Sequence, residues 1–125
     1  MATMENVRTI TKEAGADLSA GQFKFVEIAA DGQVDLVGSA GGSGIGVLLN
    51  KPNAAGVAAT IAVDGVVKVI AGTGGLTAGD KVQSDAAGAG ITAAASDHVL
   101  ARAMTTAAAG ELAEVLLGSH HILAA

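Results

Sequence analysis

The sequence contains no cysteine, tryptophan or tyrosine, and only two phenylalanines and one proline in 125 residues. Without cysteine, the chain forms neither a disulfide scaffold nor a thiolate metal site. The longest apolar runs, such as Val115-Leu116-Leu117, are far too short to cross a bilayer. No charged segment followed by an apolar one opens the chain, so we expect no signal peptide. This length supports one domain of ordinary size and excludes a multi-domain enzyme.

Positive charge is also scarce, since seven Lys and Arg stand against twelve Asp and Glu, giving a net charge of −5. An acidic surface repels phosphate backbones, and two aromatic residues provide no stacking platform for unpaired bases. We therefore expect no binding to nucleic acid, and because the apolar runs are short we also expect no membrane partner. The basic residues are scattered along the sequence: Arg8, Lys12, Lys24, Lys51, Lys68, Lys81 and Arg102.

Small residues are abundant instead, because alanine and glycine occupy 46 of the 125 positions. Ile, Leu, Val and Phe still make up about a quarter of the chain, above the level of about 20% that marks disordered chains. Short apolar runs recur at intervals of about 8–12 residues with glycine turns between them, a pattern typical of small β-barrels and β-sandwiches. The sequence therefore predicts an all-β fold, a small β-barrel or β-sandwich.

Several local patterns refine this prediction. Asp31-Gly32 and Asp64-Gly65 each lie between apolar runs and predict β-hairpin turns. Residues 96–104 and 110–118 carry helix-capping signals, but their alternating apolar residues favour strands. The segment Leu18-Ser19-Ala20-Gly21-Gln22 is repeated approximately by Leu76-Thr77-Ala78-Gly79-Asp80. Two copies indicate related corners of one barrel.

No motif indicates catalysis or a cofactor. The glycine-rich residues 39–46 lack the spacing of a phosphate-binding loop, so we interpret them as a flexible loop between strands. His98, His120 and His121 lack metal-ligand spacing, because adjacent strand residues point to opposite faces. Ser96-Asp97-His98 has the residue types of a catalytic triad, but three adjacent residues do not easily converge. We therefore expect no catalytic, cofactor-binding or metal-binding residues, no small-molecule substrate and no enzymatic activity.

The first 17 residues differ from the remainder in being polar and poor in branched aliphatic side chains. Val7-Arg8-Thr9-Ile10-Thr11 has the composition of a strand with weak alternation. Such a segment is either a mobile tail or an arm that becomes ordered on a partner. We accordingly divide the chain into an extended N-terminal arm, residues 1–17, and a β-barrel domain, residues 18–125.

The pattern of corners and strands resembles the capsid decoration (cement) proteins of tailed bacteriophages. Four segments carry the resemblance: Leu18 to Gln22, Ile45 to Pro52, Gly56 to Val69, and Gly74 to Gln83. The resemblance implies a barrel or sandwich of the β-tulip type. It also implies a homotrimer that binds the major capsid protein on the outer surface of the head, after synthesis in the host cytoplasm, and that stabilises the contacts between capsomers.

In that family an extended arm contacts the capsid. Carried over to this sequence, the resemblance implies that the arm contacts the capsid through Thr3, Val7, Arg8, Thr9, Ile10 and Thr11. Two alternatives remain open. One is another virion structural component, such as a head fibre base or a tail accessory protein, and the other is a small-molecule-binding β-barrel.

Overall fold

The computed structural model describes residues 5–94 and 98–123, with backbone only for residues 5, 6 and 118–123. The described residues form strands and connections without a helix, which confirms the all-β prediction. Both segments with mixed signals are strands, β8 and β9. The strands are β1 (Glu5–Glu13), β2 (Phe25–Ile28), β3 (Val34–Leu36), β4 (Gly46–Leu48), β5 (Ala58–Ile70), β6 (Lys81–Ser84), β7 (Gly90–Thr92), β8 (His98–Ala103) and β9 (Leu112–Leu123).

One antiparallel sheet contains all nine strands, in the order β3-β2-β4-β5-β9-β8-β6-β7, with β1 paired to β5. β5 is central because both of its edges are used. Its residues Ile61 and Ala62 pair with β4 on one side and with β1 on the other. Its second half, Gly65 to Ile70, pairs with β9.

Two isolated bridges curl the sheet into a barrel-like shape. Ala14 bridges Val34 in parallel, which connects the end of β1 to β3. Ala71 bridges Gly90 in the same way, which connects the end of β5 to β7. Each half of the sheet therefore returns toward β5, in agreement with the predicted barrel-like architecture.

The curled sheet encloses two clusters of small and medium-sized apolar side chains. Phe25 is the largest side chain that is fully buried among the described residues. The larger cluster contains Phe25, Val37, Val47, Ala62, Val67, Val69, Ala71, Leu76, Val82, Leu100, Ala101, Ala103, Ala107, Ala113, Val115 and Leu117. The smaller cluster contains Ala14, Leu18, Val26, Val34, Leu48, Ala59 and Ile61. Alanines on strands thus fill a thin core.

The two Asp-Gly pairs behave differently. Asp31-Gly32 forms the predicted hairpin turn, with Gly32 at a φ of 84° and β2 paired to β3. The prediction for Asp64-Gly65 was wrong, since β5 continues through both residues from Ala58 to Ile70. Gly65 has a φ of 99°, and the register between β1 and β5 shifts around Asp64. The glycine therefore permits an irregularity inside a long strand instead of a chain reversal.

The repeated corner has a third copy that was not identified from the sequence. Asp80 Oδ2 accepts a hydrogen bond from the Thr77 amide at 3.0 Å, and Glu111 Oε1 accepts one from the Ala108 amide at 3.1 Å. Leu76 bridges Ala107, so the two corners lie side by side. The third copy is therefore residues 107–111. In both corners the sequence Ala-Gly is followed directly by the carboxylate residue, which is Asp80 in one and Glu111 in the other.

Candidate interaction surfaces

The residues with potential chemistry are not gathered into a site within the part of the chain that the structure describes. There, no group of three or more His, Asp or Glu side chains could hold a metal ion. His98 lies apart, with Nδ1 3.1 Å from the Gly41 carbonyl oxygen. Ser96, Asp97 and the side chains of His120 and His121 lie outside the described residues. The absence of catalytic and metal-binding residues therefore stays a prediction.

Two further observations apply to the same described ranges, residues 5–94 and 98–123. Every buried side-chain nitrogen or oxygen there has a hydrogen-bond partner, so none is left directed at a ligand. No helix in them is long and apolar enough to span a membrane.

The glycine-rich segment 39–46 is less open than predicted, since Gly41 and Gly46 are buried and Gly46 belongs to β4. At Gly46 the neighbouring backbone is so close that an added β-carbon would overlap the Ala62 carbonyl oxygen.

The predicted arm residues lie along β1, which pairs with β5 of the same chain. Val7 is half-buried against the larger cluster, whereas residues 8–13 are exposed. Arg8 forms an ion pair with Asp64 at 3.8 Å, but both side chains are more than half exposed, so the pair contributes little stability. The remaining edge of β1 pairs with no other strand among the described residues. Thr3 lies outside them, and capsid contact by this segment stays a prediction.

A second surface is formed by the solvent side of β5, β6, β8 and β9. Lys81 pairs with Arg102, which pairs with Leu116, which pairs with Val66. Residues directly opposite each other in a sheet share a face, and so do alternate residues of one strand. We call this surface the outer face. It consists of Val66, Lys68, Ile70, Lys81, Arg102, Met104, Leu112, Glu114 and Leu116.

The outer face is unusually apolar for a solvent side. Met104, Leu116 and Leu112 are 45%, 41% and 39% exposed, and they are half of the large exposed hydrophobic residues in the described part of the chain. Lys68 pairs with Glu114 in the next row of the sheet, and Ile70 pairs with Leu112 beyond it. Exposed apolar side chains concentrated on one sheet face are typical of a protein–protein contact.

A cleft of about 370 Å³ continues this surface beyond Ile70 and Leu112. Phe23 lines the cleft in the left-handed backbone region, with a φ of 65°, which is strained for a bulky residue. Two backbone hydrogen bonds hold it there, from Phe23 to the Leu48 carbonyl at 2.7 Å and from Ile70 to the Phe23 carbonyl at 2.9 Å. Lys68 Nζ lies 5.9 Å from the ring centroid. Strained aromatic residues on a surface often belong to a binding site.

The outer face also concentrates positive charge that is dispersed in the sequence. Lys68, Lys81 and Arg102 come from three different strands, and pairing between strands brings them to one side of the sheet. Arg102 Nη1 donates a hydrogen bond to the Gly79 carbonyl at 3.0 Å, which fixes the position of its guanidinium. These three cations are therefore far apart in the sequence but lie on one face of the folded protein.

Asp17 caps the first corner, beside the Phe23 cleft, and its pKa is shifted. The Ser19 hydroxyl donates to Asp17 Oδ1 at 2.6 Å and the Ser19 amide donates at 3.0 Å, which lowers the pKa of Asp17 below its ordinary value of 3.8. These hydrogen bonds therefore stabilise the folded chain at pH values above the pKa that Asp17 has in the unfolded chain. The stabilisation is lost as the pH falls through the lower pKa of Asp17 in the folded chain. We expect Ser19→Ala to raise the pKa of Asp17 toward 3.8 in an NMR titration. An unchanged titration would contradict this assignment.

No protein-family model matches the chain, and no curated protein sequence matches it. A solved structure does: the crystal structure of the head fiber gp8.5 N base in bacteriophage phi29. The TM-score is 0.68 at 16% sequence identity, and the match covers 93% of this chain and 98% of that one. At so low an identity the likeness concerns the fold, which the chain shares with the head-fibre base domain over nearly its whole length.

Proposed function

We propose that the protein is a structural component of a tailed-phage virion that attaches to the head, as the base of a head fibre does. The observation that carries this proposal is the fold match with a head-fibre base over 93% of the chain. The corner and strand pattern, which resembles phage decoration proteins, supports it independently. Of the functions expected from the sequence, the head fibre base has the stronger structural support.

The surface chemistry of the protein suits such a role. β1 offers a row of backbone amides and carbonyls along an edge that no described strand covers. An extended segment of a capsid subunit binds such an edge mainly through backbone hydrogen bonds, so few apolar anchors are needed. The outer face provides a separate apolar contact surface. A protein of this kind binds other proteins and requires no cofactor.

Capsid decoration is the second candidate. The specific observation in its favour is β1, because Arg8, Thr9, Ile10 and Thr11 are all exposed on the segment that the resemblance assigns to capsid contact. As a cement protein the chain would bind major capsid protein at many equivalent positions on the outer head surface, as a homotrimer. As a fibre base it would occupy only the positions from which fibres project.

The proposal is tested on particles produced by the genome that encodes the chain. We expect the protein to be present in virions purified by density gradient, and gold-labelled antibodies to bind the head rather than the tail. Labelling at discrete projections supports a fibre base, and even labelling of the head surface supports decoration. Virions that lack the chain, or that are labelled only on the tail, would rule out both roles. A non-structural protein of the same genome serves as the negative control.

A further inference from the structure

We propose that the outer face binds the acidic β2–β3 hairpin of a second copy of the chain, so that copies associate head to tail. This inference concerns contacts between copies and does not depend on which part of a virion they occupy. It goes beyond the predicted homotrimer by assigning the two surfaces that meet. The hairpin is defined here as residues 25–37.

The first argument is the uneven distribution of charge. The outer face carries three cations, Lys68, Lys81 and Arg102, against the single carboxylate of Glu114. The remaining sequence therefore has four basic and eleven acidic residues. A cationic, apolar face on a strongly acidic chain is complementary to the other surfaces of the same chain, and such complementarity selects partners and orientation.

Pairing of two outer faces is disfavoured for the same reason. It would bring Lys81 and Arg102 of one copy close to the cations of the other, and juxtaposed like charges cost free energy. An interface between two different surfaces avoids this cost. Such heterologous contacts generate closed rings when the rotation between copies permits closure.

The β2–β3 hairpin is the best counterpart that the described residues offer. Residues 25–37 include Glu27, Asp31 and Asp35 and no Lys or Arg. Glu27 lies directly opposite Asp35, and neither carboxylate has an ion pair or hydrogen bond to a described residue. Like charges directly opposite in a sheet are destabilising, and a cation from another copy removes that repulsion.

The position of the hairpin in the fold fits the same arrangement. β3 and β2 stand at one end of the strand order, whereas β8 and β6 stand near the other end. The hairpin and the outer face are formed by different strands, so a head-to-tail contact uses each surface once. Ile28 of the hairpin is 44% exposed but lies on the opposite face from Glu27 and Asp35, so the hairpin contributes its carboxylates to the contact with the outer face.

Burial of Met104, Leu112 and Leu116 in a contact would stabilise a chain of this composition. Alanine contributes little apolar area to the core, and small domains with thin cores are commonly stabilised by oligomerisation. A leucine or methionine side chain on the outer face offers more apolar area for burial in a contact than an alanine does. Apolar burial thus supplies affinity, while the charges specify which surfaces meet.

The apolar part of the proposal is tested by sedimentation equilibrium of the full chain at low salt. We expect the wild type to form a discrete oligomer and the double variant Leu112→Ser/Leu116→Ser to weaken association by about tenfold or more. Val57→Ser is the matched control, because Val57 is 39% exposed, as Leu112 is, but lies off the outer face. A monomeric wild type, or equal weakening by the control, would overturn the proposal. Circular dichroism confirms that each variant is folded.

The pairing with the hairpin is tested by charge reversal. Arg102→Glu and Glu27→Lys each place like charges in the contact, so we expect each to weaken association by about tenfold. Combining them in one chain restores opposite charges, and association is expected to recover. If each single variant weakens association but the combination does not recover it, the outer face has a different partner surface and the assignment of the hairpin is wrong. Association that is unaffected by Arg102→Glu overturns the role of the outer face itself.

Discussion

Replacing Gly46 with alanine is expected to destabilise the protein by about 3 kcal/mol or more. Gly46 begins β4 at a position where the backbones of β4 and β5 approach closely. A β-carbon added there would overlap the Ala62 carbonyl oxygen and lie 2.8 Å from Cγ2 of Ile61. Neither neighbour can move easily, because Ile61 and Ala62 are fully buried on the central strand. Relief of the overlap requires β4 to separate from β5.

Thermal unfolding measures this effect, with an expected decrease in Tm of about 10 °C for a domain of this size. Gly38→Ala is the matched control, because a β-carbon at Gly38 meets no atom within 4 Å and its backbone does not need a positive φ. We expect that control to melt like the wild type or slightly higher. Equal melting of Gly46→Ala and Gly38→Ala would mean that β4 and β5 are not held as closely as the structure shows.

Gly46 also illustrates why the sequence predicts the all-β fold class but not which glycines are required by close contact between strands. Alternating apolar residues and Asp31-Gly32 are local signals, and they correctly predicted an all-β chain and the β2–β3 hairpin. A glycine required by a neighbouring strand has no local signal. In the sequence, Gly46 is one more small residue in a glycine-rich run, which is why residues 39–46 were interpreted as a flexible loop.

The long strand β5 shows the same limit. Asp64-Gly65 has the composition of a tight turn, but β9 and β1 continue to pair with β5 on both sides of it. Tertiary pairing therefore overrides the local preference, and the positive φ of Gly65 accommodates a shift in register. A reader of the sequence alone cannot distinguish these outcomes, because both require a glycine with a left-handed backbone.

The candidate surfaces were predicted only in part. Residues 1–17 were set apart by their polar composition, and β1 occupies residues 5–13 of that segment; its contact with a capsid stays a prediction. The outer face was missed because its cations are far apart in sequence and become neighbours only through strand register. Phe23 was not singled out from the sequence, whereas in the fold it has a left-handed backbone and lines a surface cleft. The available signal was its rarity, since it is one of two aromatic residues in the chain.

The two phenylalanines have different environments in the fold. Phe25 is fully buried in the larger cluster, while Phe23, two residues earlier, is half-buried on the outside of the sheet. A chain with so few large side chains places one in the core and leaves the other half-buried in a cleft beside Leu112 and Ile70. An apolar group left partly exposed contributes little to folding, so its contribution is expected in a complex.

We expect the stability of N-terminally truncated chains to fall sharply when the deletion is extended from residue 13 to residue 17. Removing residues 1–13 deletes β1, whose side chains are exposed from Arg8 onward, and the rest of the sheet keeps its own pairing. Removing residues 1–17 also deletes Ala14, which is fully buried in the smaller cluster. It eliminates three backbone hydrogen bonds as well, from Ala14 to Val57 at 2.9 Å, from Gly56 to Ala14 at 2.8 Å and from Gly15 to Val34 at 2.8 Å.

We therefore expect the longer truncation to be less stable than the shorter one by about 3 kcal/mol, because it opens the smaller cluster and leaves the buried Val34 carbonyl unpaired. Urea unfolding of the two truncated chains and the full chain measures the difference. The shorter truncation is the internal control, since it removes β1, of which Val7 is half-buried and residues 8–13 are exposed. Equal unfolding free energies for the two truncations would show that residues 14–17 do not belong to the folded core. If the barrel depends on Ala14, only β1 can be removed from the N-terminal segment without loss of the fold. A test of contact between this segment and a capsid should therefore be made on β1.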